Sequence, residues 1–97
     1  MRVDKYLWTI RAYKTRSLAA KMVERGEVKI NDKVVAKASA IVRLGDVLDF
    51  PNPTLKFQRR IEVLGFAEQR LGAPQARELY AETDPPPEDP FYWDGEE

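Results

Sequence analysis

The chain has 97 residues, 43% of them hydrophobic and 33% charged, enough for one domain with a modest core and a well-solvated surface. It contains no cysteine and no histidine, which excludes disulfides, thiolate metal sites and the commonest nucleophile–base pairs. The net charge of zero hides an asymmetry. Residues 1–62 carry 14 Lys and Arg against 7 Asp and Glu, a balance of +7, whereas residues 63–97 carry 2 against 9, a balance of −7.

A basic body joined to an acidic end suggests a polyanionic partner for the body, although two solvated charge blocks would give the same totals. The placement of the cations therefore matters more than their number. No apolar run approaches the roughly 20 residues of a membrane helix, and no signal peptide opens the chain. A soluble, cytoplasmic protein with no membrane contact is expected.

Val3, Tyr6, Leu7 and Ile10 recur at i, i+3, i+4 and i+7, the apolar face of a first helix. Arg2, Lys5, Trp8 and Arg11 form a second row at i+3 steps, turned away from that face. The indole of Trp8 could stack on a base or ribose between these cations, or it could close the edge of a small core. Ala12 to Lys14 break the helix, and Thr15 is a suitable N-cap for a second one. Leu18, Ala19, Met22 and Val23 face inward, while Arg16, Lys21 and Arg25 lie outside that face. Gly26 supplies the left-handed stop. Lys14 and Arg16 stand at the start of this helix, where a cation is slightly unfavourable for the helix itself but free amides favour a phosphate.

Val28 and Ile30 alternate with polar residues as a strand does, and Asn31-Asp32 can adopt the positive φ of a tight hairpin. Lys33-Val34-Val35 returns as a second strand with Lys29 and Lys33 close to the turn. Ile41-Val42 is less regular, Leu44-Gly45-Asp46 is a turn, and Val47 to Phe50 form a third strand. After Pro51-Asn52-Pro53, alternation resumes from Leu55 to Leu64, with Leu55, Phe57, Ile61 and Val63 on one face, Arg59 interrupting it, and Lys56, Arg59 and Arg60 as a last basic group. Gly72-Ala73-Pro74 opens a short helix with Ala76, Leu79 and Tyr80 on its apolar side. Residues 84–97 hold four prolines, six acids and three aromatics with no cation, a composition from which no regular element is expected.

The five glycines are scattered and build no phosphate loop. Nothing concentrates the Lys, Tyr, Asp and Glu that would have to serve as nucleophile and base, so no enzyme, metal or cofactor is expected. The residues instead suit an RNA surface: arginine forks and lysine point charges beside an amide-rich helix end and a lysine-bearing hairpin.

The stretches RVDKYLW, YKTRSLAAKMVERGEVKIND and LGDVL, between Arg2 and Phe50, closely resemble the RNA-binding domain named after ribosomal protein S-four. VDK followed by Trp, YKTR and the later LYAET resemble its fifteen-kilodalton heat-shock and ribosome quality-control branch. The resemblance implies an α+β fold of two packed N-terminal helices against a short, mainly antiparallel sheet, plus a short C-terminal helix and tail. It divides the chain into an RNA-binding domain at 1–64, a helical extension at 65–83 and an acidic tail at 84–97.

It implies binding to the ribosome through large-subunit ribosomal RNA, with tRNA as a further contact, on subunits stalled with a nascent chain. Separately from the resemblance, a monomer is expected. The RNA surface carried over by residue comprises Arg2, Lys5, Lys14, Thr15, Arg16, Lys21, Lys29, Asn31 and Lys33, and the outward row of the first helix adds Arg11. Two departures stand out: Asn31-Asp32 replaces the Asn-Gly of many members, and an acidic tail stands where the heat-shock branch has a basic extension. A rival reading makes the chain a protein-interaction adaptor. The adaptor would hold its partner through the acidic aromatic tail. In the RNA reading that composition suits a disordered, solubilising end, and a sharper alternative has Phe91, Tyr92 and Trp93 anchor the tail back on the basic face until RNA displaces it.

Overall fold

A computed structural model describes residues 1–52 and 58–83. The readings made at Leu55, Lys56 and Phe57 and in the acidic tail lie outside the described residues. Helix α1 runs Val3–Thr9, and its predicted face of Val3, Tyr6, Leu7 and Ile10 is buried. Its first amides, which no helix can satisfy internally, are taken by the chain crossing over them. Val3 N–H donates to the Ala40 carbonyl at 2.7 Å and Asp4 N–H to that of Ala38 at 3.3 Å.

The reversal after α1 turns on Arg11, which holds a left-handed φ of +66° where glycine is usual. That turn carries Ala12 and Tyr13 of the expected break into the core, while Lys14 stays exposed. Tyr13 anchors it by donating its hydroxyl to the Pro51 carbonyl at 2.8 Å.

Helix α2 spans Arg16–Glu24 and begins as expected: Thr15 Oγ1 accepts the Leu18 N–H at 3.0 Å. It ends in a Schellman motif, with Gly26 at φ +78° donating to Val23 and Glu27 donating to Met22. Ala19 and Val23 are fully buried, and Leu18 and Met22 pack against the same cluster.

Strands β1 (Lys29–Ile30) and β2 (Lys33–Val34) form the predicted hairpin, with Asn31 and Asp32 at φ +52° and +70°. Strands β3 (Val47–Pro51), β4 (Gln58–Val63) and β5 (Tyr80–Thr83) complete an antiparallel sheet in the order β2-β1-β3-β4-β5. The register pairs Leu48 with Ile61 and Phe50 with Arg59, and the helices cover this inner face. Lys29, Asp49 and Arg60 are paired across three strands on the outer face.

Two features differ from expectation. The helix from Ala73 lasts only to Ala76, followed by a 3₁₀ turn at Arg77–Leu79, and Tyr80 then opens a strand. Leu, Ala and Glu favour a helix locally, but the free edge of β4 offers ladder partners that four residues of helix cannot match. Arg59 interrupts the apolar face of β4 without leaving it. Its guanidinium lies 5.3 Å from the Phe50 ring centroid and 5.7 Å from that of Tyr80, and it forks onto Glu82 through two 2.8 Å bonds.

Tyr6 and Tyr13 are both fully buried. Burial drives both phenols well above their ordinary value, helped at Tyr6 by Tyr80 and at Tyr13 by Glu27, with Arg59 opposing at Tyr13. In the unfolded chain each phenol loses its proton near pH 10, so above that pH the folded state holds more protons than the unfolded one. Stability should therefore be flat up to about pH 10 and then fall, by up to about 2.7 kcal/mol per pH unit for two phenols. Urea melts from pH 8 to 12 check this, and Tyr6→Phe with Tyr13→Phe should flatten the decline.

Candidate nucleic-acid interface

The cations nearest the helix starts are organised by one carboxylate. Asp4, in the first turn of α1, is only 3% exposed. Its Oδ1 accepts Arg2 Nε at 3.2 Å and the Lys5 backbone N–H at 2.7 Å. Oδ2 accepts Arg2 Nη2 at 3.1 Å and lies 3.6 Å from Arg16 Nε. Arg2 precedes α1 and Arg16 opens α2, so Asp4 draws together two guanidiniums from different elements. Both stay roughly half exposed, at 48% and 44% of their side chains, with donors left for a ligand. Two guanidiniums on one carboxylate leave an excess positive charge, which is the requirement for gripping a polyanion.

Arg2, Lys5 and Arg16 line an open cleft of about 460 Å³, together with Met1, Phe66 and Glu68. Lys5 lies 3.5 Å from the fully solvated Glu68. Phe66 stands edge-on to Tyr6, with ring centroids 5.9 Å apart, and remains exposed. Sequence reasoning passed over Asp4 and Phe66. The signal for Asp4 was an acid set among basic residues in the first turn of α1; Phe66 lay in a segment with no periodicity to mark it.

The remaining candidates divide. Lys14 and Lys21 are exposed and have no ion pair among the described residues, and Lys14 adjoins the α2 cap. The Thr15 hydroxyl oxygen serves that cap. Arg11 is exposed and reaches the Leu71 carbonyl at 3.4 Å. Trp8 is half-buried at the edge of the core with the Arg70 guanidinium 5.9 Å from its ring centroid, so the aromatic side chain exposed beside the cations is Phe66. Arg70 also closes the end of α1 by donating to the carbonyls of Trp8 and Tyr13 at 3.2 and 3.1 Å.

On the hairpin, Lys29 projects from the outer face of the sheet, away from the helices, and Lys33 lies at its exposed edge. The Asn31 amide is committed to the fold: Nδ2 donates to Asp46 at 3.0 Å and Oδ1 accepts the Val47 N–H at 2.9 Å. Beside Asn31, an outer cleft of about 380 Å³ is lined by Asp32, Val47, Arg60 and Glu62. Arg60 there lies 2.7 Å from Asp49 and 3.7 Å from Asp32, so this second concavity is acidic on balance and unsuited to phosphate. Among the described residues no cluster of acids could hold a metal ion, and no helix is long and apolar enough to cross a membrane.

Two short helices docked on an antiparallel sheet, with cations gathered at their starts, define a protein of the S4-domain class, whose family model matches residues 1–48. The trimeric structure of Vibrio cholerae heat shock protein 15 superposes with a TM-score of 0.78 and 42% identity, covering 86% of this chain and 81% of that one. The chain thus belongs to the heat shock protein 15 family. A heat shock protein 15 homolog of Haemophilus influenzae is 42% identical over 84 residues, 87% of this chain and 62% of the relative, so this chain spans less than two thirds of that protein's length. An RQC P-site tRNA stabilizing factor of Halalkalibacterium halodurans is 44% identical over 48 residues, half of this chain and 53% of that one.

Proposed function

We propose that the chain is a non-catalytic RNA-binding protein that grips structured RNA with the cationic face of its helix pair. Its target is large-subunit ribosomal RNA, in the recycling or quality control of stalled subunits. The observation that carries this reading is the pairing of Arg2 and Arg16 on buried Asp4 beside Lys5. Such an arrangement stabilises the fold less well than an apolar contact would, yet it presents fixed, half-exposed guanidiniums of the kind that fork onto phosphate. The ribosomal assignment draws support from the relative named as a P-site tRNA stabilizing factor. The acidic aromatic end, the rival docking segment, lies outside the described residues, and nothing in the described geometry favours that reading.

The helix pair carries Arg2, Lys5, Arg11, Lys14, Arg16 and Lys21. If these neutralise about six phosphates, log affinity should fall against log salt with a slope of about −4 to −5. Titration of the chain against isolated ribosomal RNA between low and physiological salt reads the slope, and a salt-insensitive interaction would remove this function. Crosslinking in cells, followed by sequencing of the adducts, tests the ribosomal target separately. The trimeric relative favours an oligomer over the monomer expected from the sequence. Light scattering on the purified chain should show a mass above that of one copy, and a monomer mass would restore the sequence expectation.

A further inference from the structure

We propose that the cleft between α1, the start of α2 and the segment around Phe66 is a subsite for one unpaired nucleotide, with its base against the Phe66 ring and its phosphates on Arg2 and Arg16. The proposal rests on the RNA-binding reading above and names the feature of the RNA that the site selects. A single exposed apolar side chain is ordinary on a protein surface. Phe66 is different in its setting: it is 39% exposed inside a concavity whose other walls carry three cations. Binding to the outside of a duplex calls for cations alone. A cationic wall and an aromatic ring in one recess match a nucleotide, which has an anionic end and a flat π face.

Geometry supports the same ligand. Tyr6 holds Phe66 at an interplanar angle of 78°, so the ring is fixed from one side before any ligand arrives. At about 460 Å³ the cleft falls within the range of small-ligand sites. Bases in a continuous helix have their faces covered by neighbours, so only a bulged, looped or terminal base can reach the ring. Glu68 is the one acid among the lining residues, and its link to Lys5 is 3.5 Å long with the Glu68 side chain 93% exposed. So solvated a pair is weak, and a phosphate can displace it.

The test uses the full chain and two hairpin RNAs with the same stem, one carrying a single unpaired 2-aminopurine. The bulged RNA should bind about tenfold more tightly at equal salt, since stacking on an aromatic ring adds a salt-independent term. Its fluorescence should be quenched on binding. Phe66→Leu should abolish both the preference and the quenching while leaving affinity for the uninterrupted stem and the salt slope unchanged, and Phe66→Trp should keep both. Equal binding of the two RNAs by the wild-type chain, or a preference that survives in Phe66→Leu, overturns the subsite alone. If neither RNA binds with salt-dependent affinity, the RNA-binding reading falls and the subsite with it.

Discussion

Arg16→Glu should weaken RNA binding by well over tenfold while leaving the chain folded. The substitution removes one cation and adds one anion beside the cleft, so the salt slope should fall by about one unit or more. Local structure tolerates the change. The new carboxylate would stand in the first turn of α2, where it interacts favourably with the helix dipole by about 0.3–1 kcal/mol. Against this, it would face Asp4 from roughly the place Arg16 now occupies, although Arg2 remains on the Asp4 side chain. Thermal melts and salt titrations on the same sample separate the two effects. An unchanged affinity would show that RNA, if it binds, does so elsewhere.

Asp4→Asn sharpens the question, because charge counting and positioning predict opposite signs. Removing a buried acid makes the basic face more positive by one. At about 8 Å from a phosphate, that charge is worth about 0.5 kcal/mol in water-like surroundings, and less after screening. Releasing Arg2 and Arg16 from their common anchor returns rotamer freedom worth about 0.5–1.5 kcal/mol for each side chain, which binding must then remove. Positioning therefore outweighs charge, and Asp4→Asn should bind RNA about three- to tenfold more weakly despite its extra positive charge. A tighter complex would show that the cations act only as a diffuse field.

The helix pair and the hairpin were legible because local chemistry and global fold agree there. The spacing of Val3, Tyr6, Leu7 and Ile10, the Thr15 cap, the Gly26 stop and the Asn31-Asp32 turn all reappear as expected. What was hidden depends on partners distant in sequence. Arg59 looked like a break in an apolar strand face, because the rings that hold it belong to Phe50 and Tyr80. Tyr80 fits the apolar side of a short helix in the sequence because its ladder partner, Val63, is remote along the chain. Asn31 looked free to meet a ligand, yet its amide is bonded to Asp46 and Val47. Lys29 and the helix cations were read as one surface, whereas the strand register turns Lys29 to the opposite face. Alternation assigns residues to the two faces of a strand without saying which face the helices cover.

The same long-range contacts make a second large effect predictable: a chain ending at Leu64 should not fold, whereas one ending at Thr83 should melt close to the full chain. Residues 65–83 lie beyond the S4 match at 1–48, yet they satisfy groups inside it. The buried Tyr6 hydroxyl donates to the Leu79 carbonyl at 2.9 Å. Stranding that hydroxyl would cost about 1–3 kcal/mol. Arg70 holds the carbonyls of Trp8 and Tyr13 at the reversal after α1, where Arg11 already carries an unfavourable φ.

Losing β5 also bares the edge of β4 and strips Arg59 of both Glu82 and the Tyr80 ring, leaving a guanidinium on the core side of the sheet. Each loss is worth about 1–3 kcal/mol, and together they match the whole stability of about 4–12 kcal/mol expected for a domain of this size. Circular dichroism and urea melts of the two truncations decide the matter. A cooperative transition in the chain ending at Leu64 would show that the helix pair and four strands stand alone. Its absence there, with a normal transition at Thr83, would make β5 and the Arg70 strap integral to the domain that carries the cationic cleft.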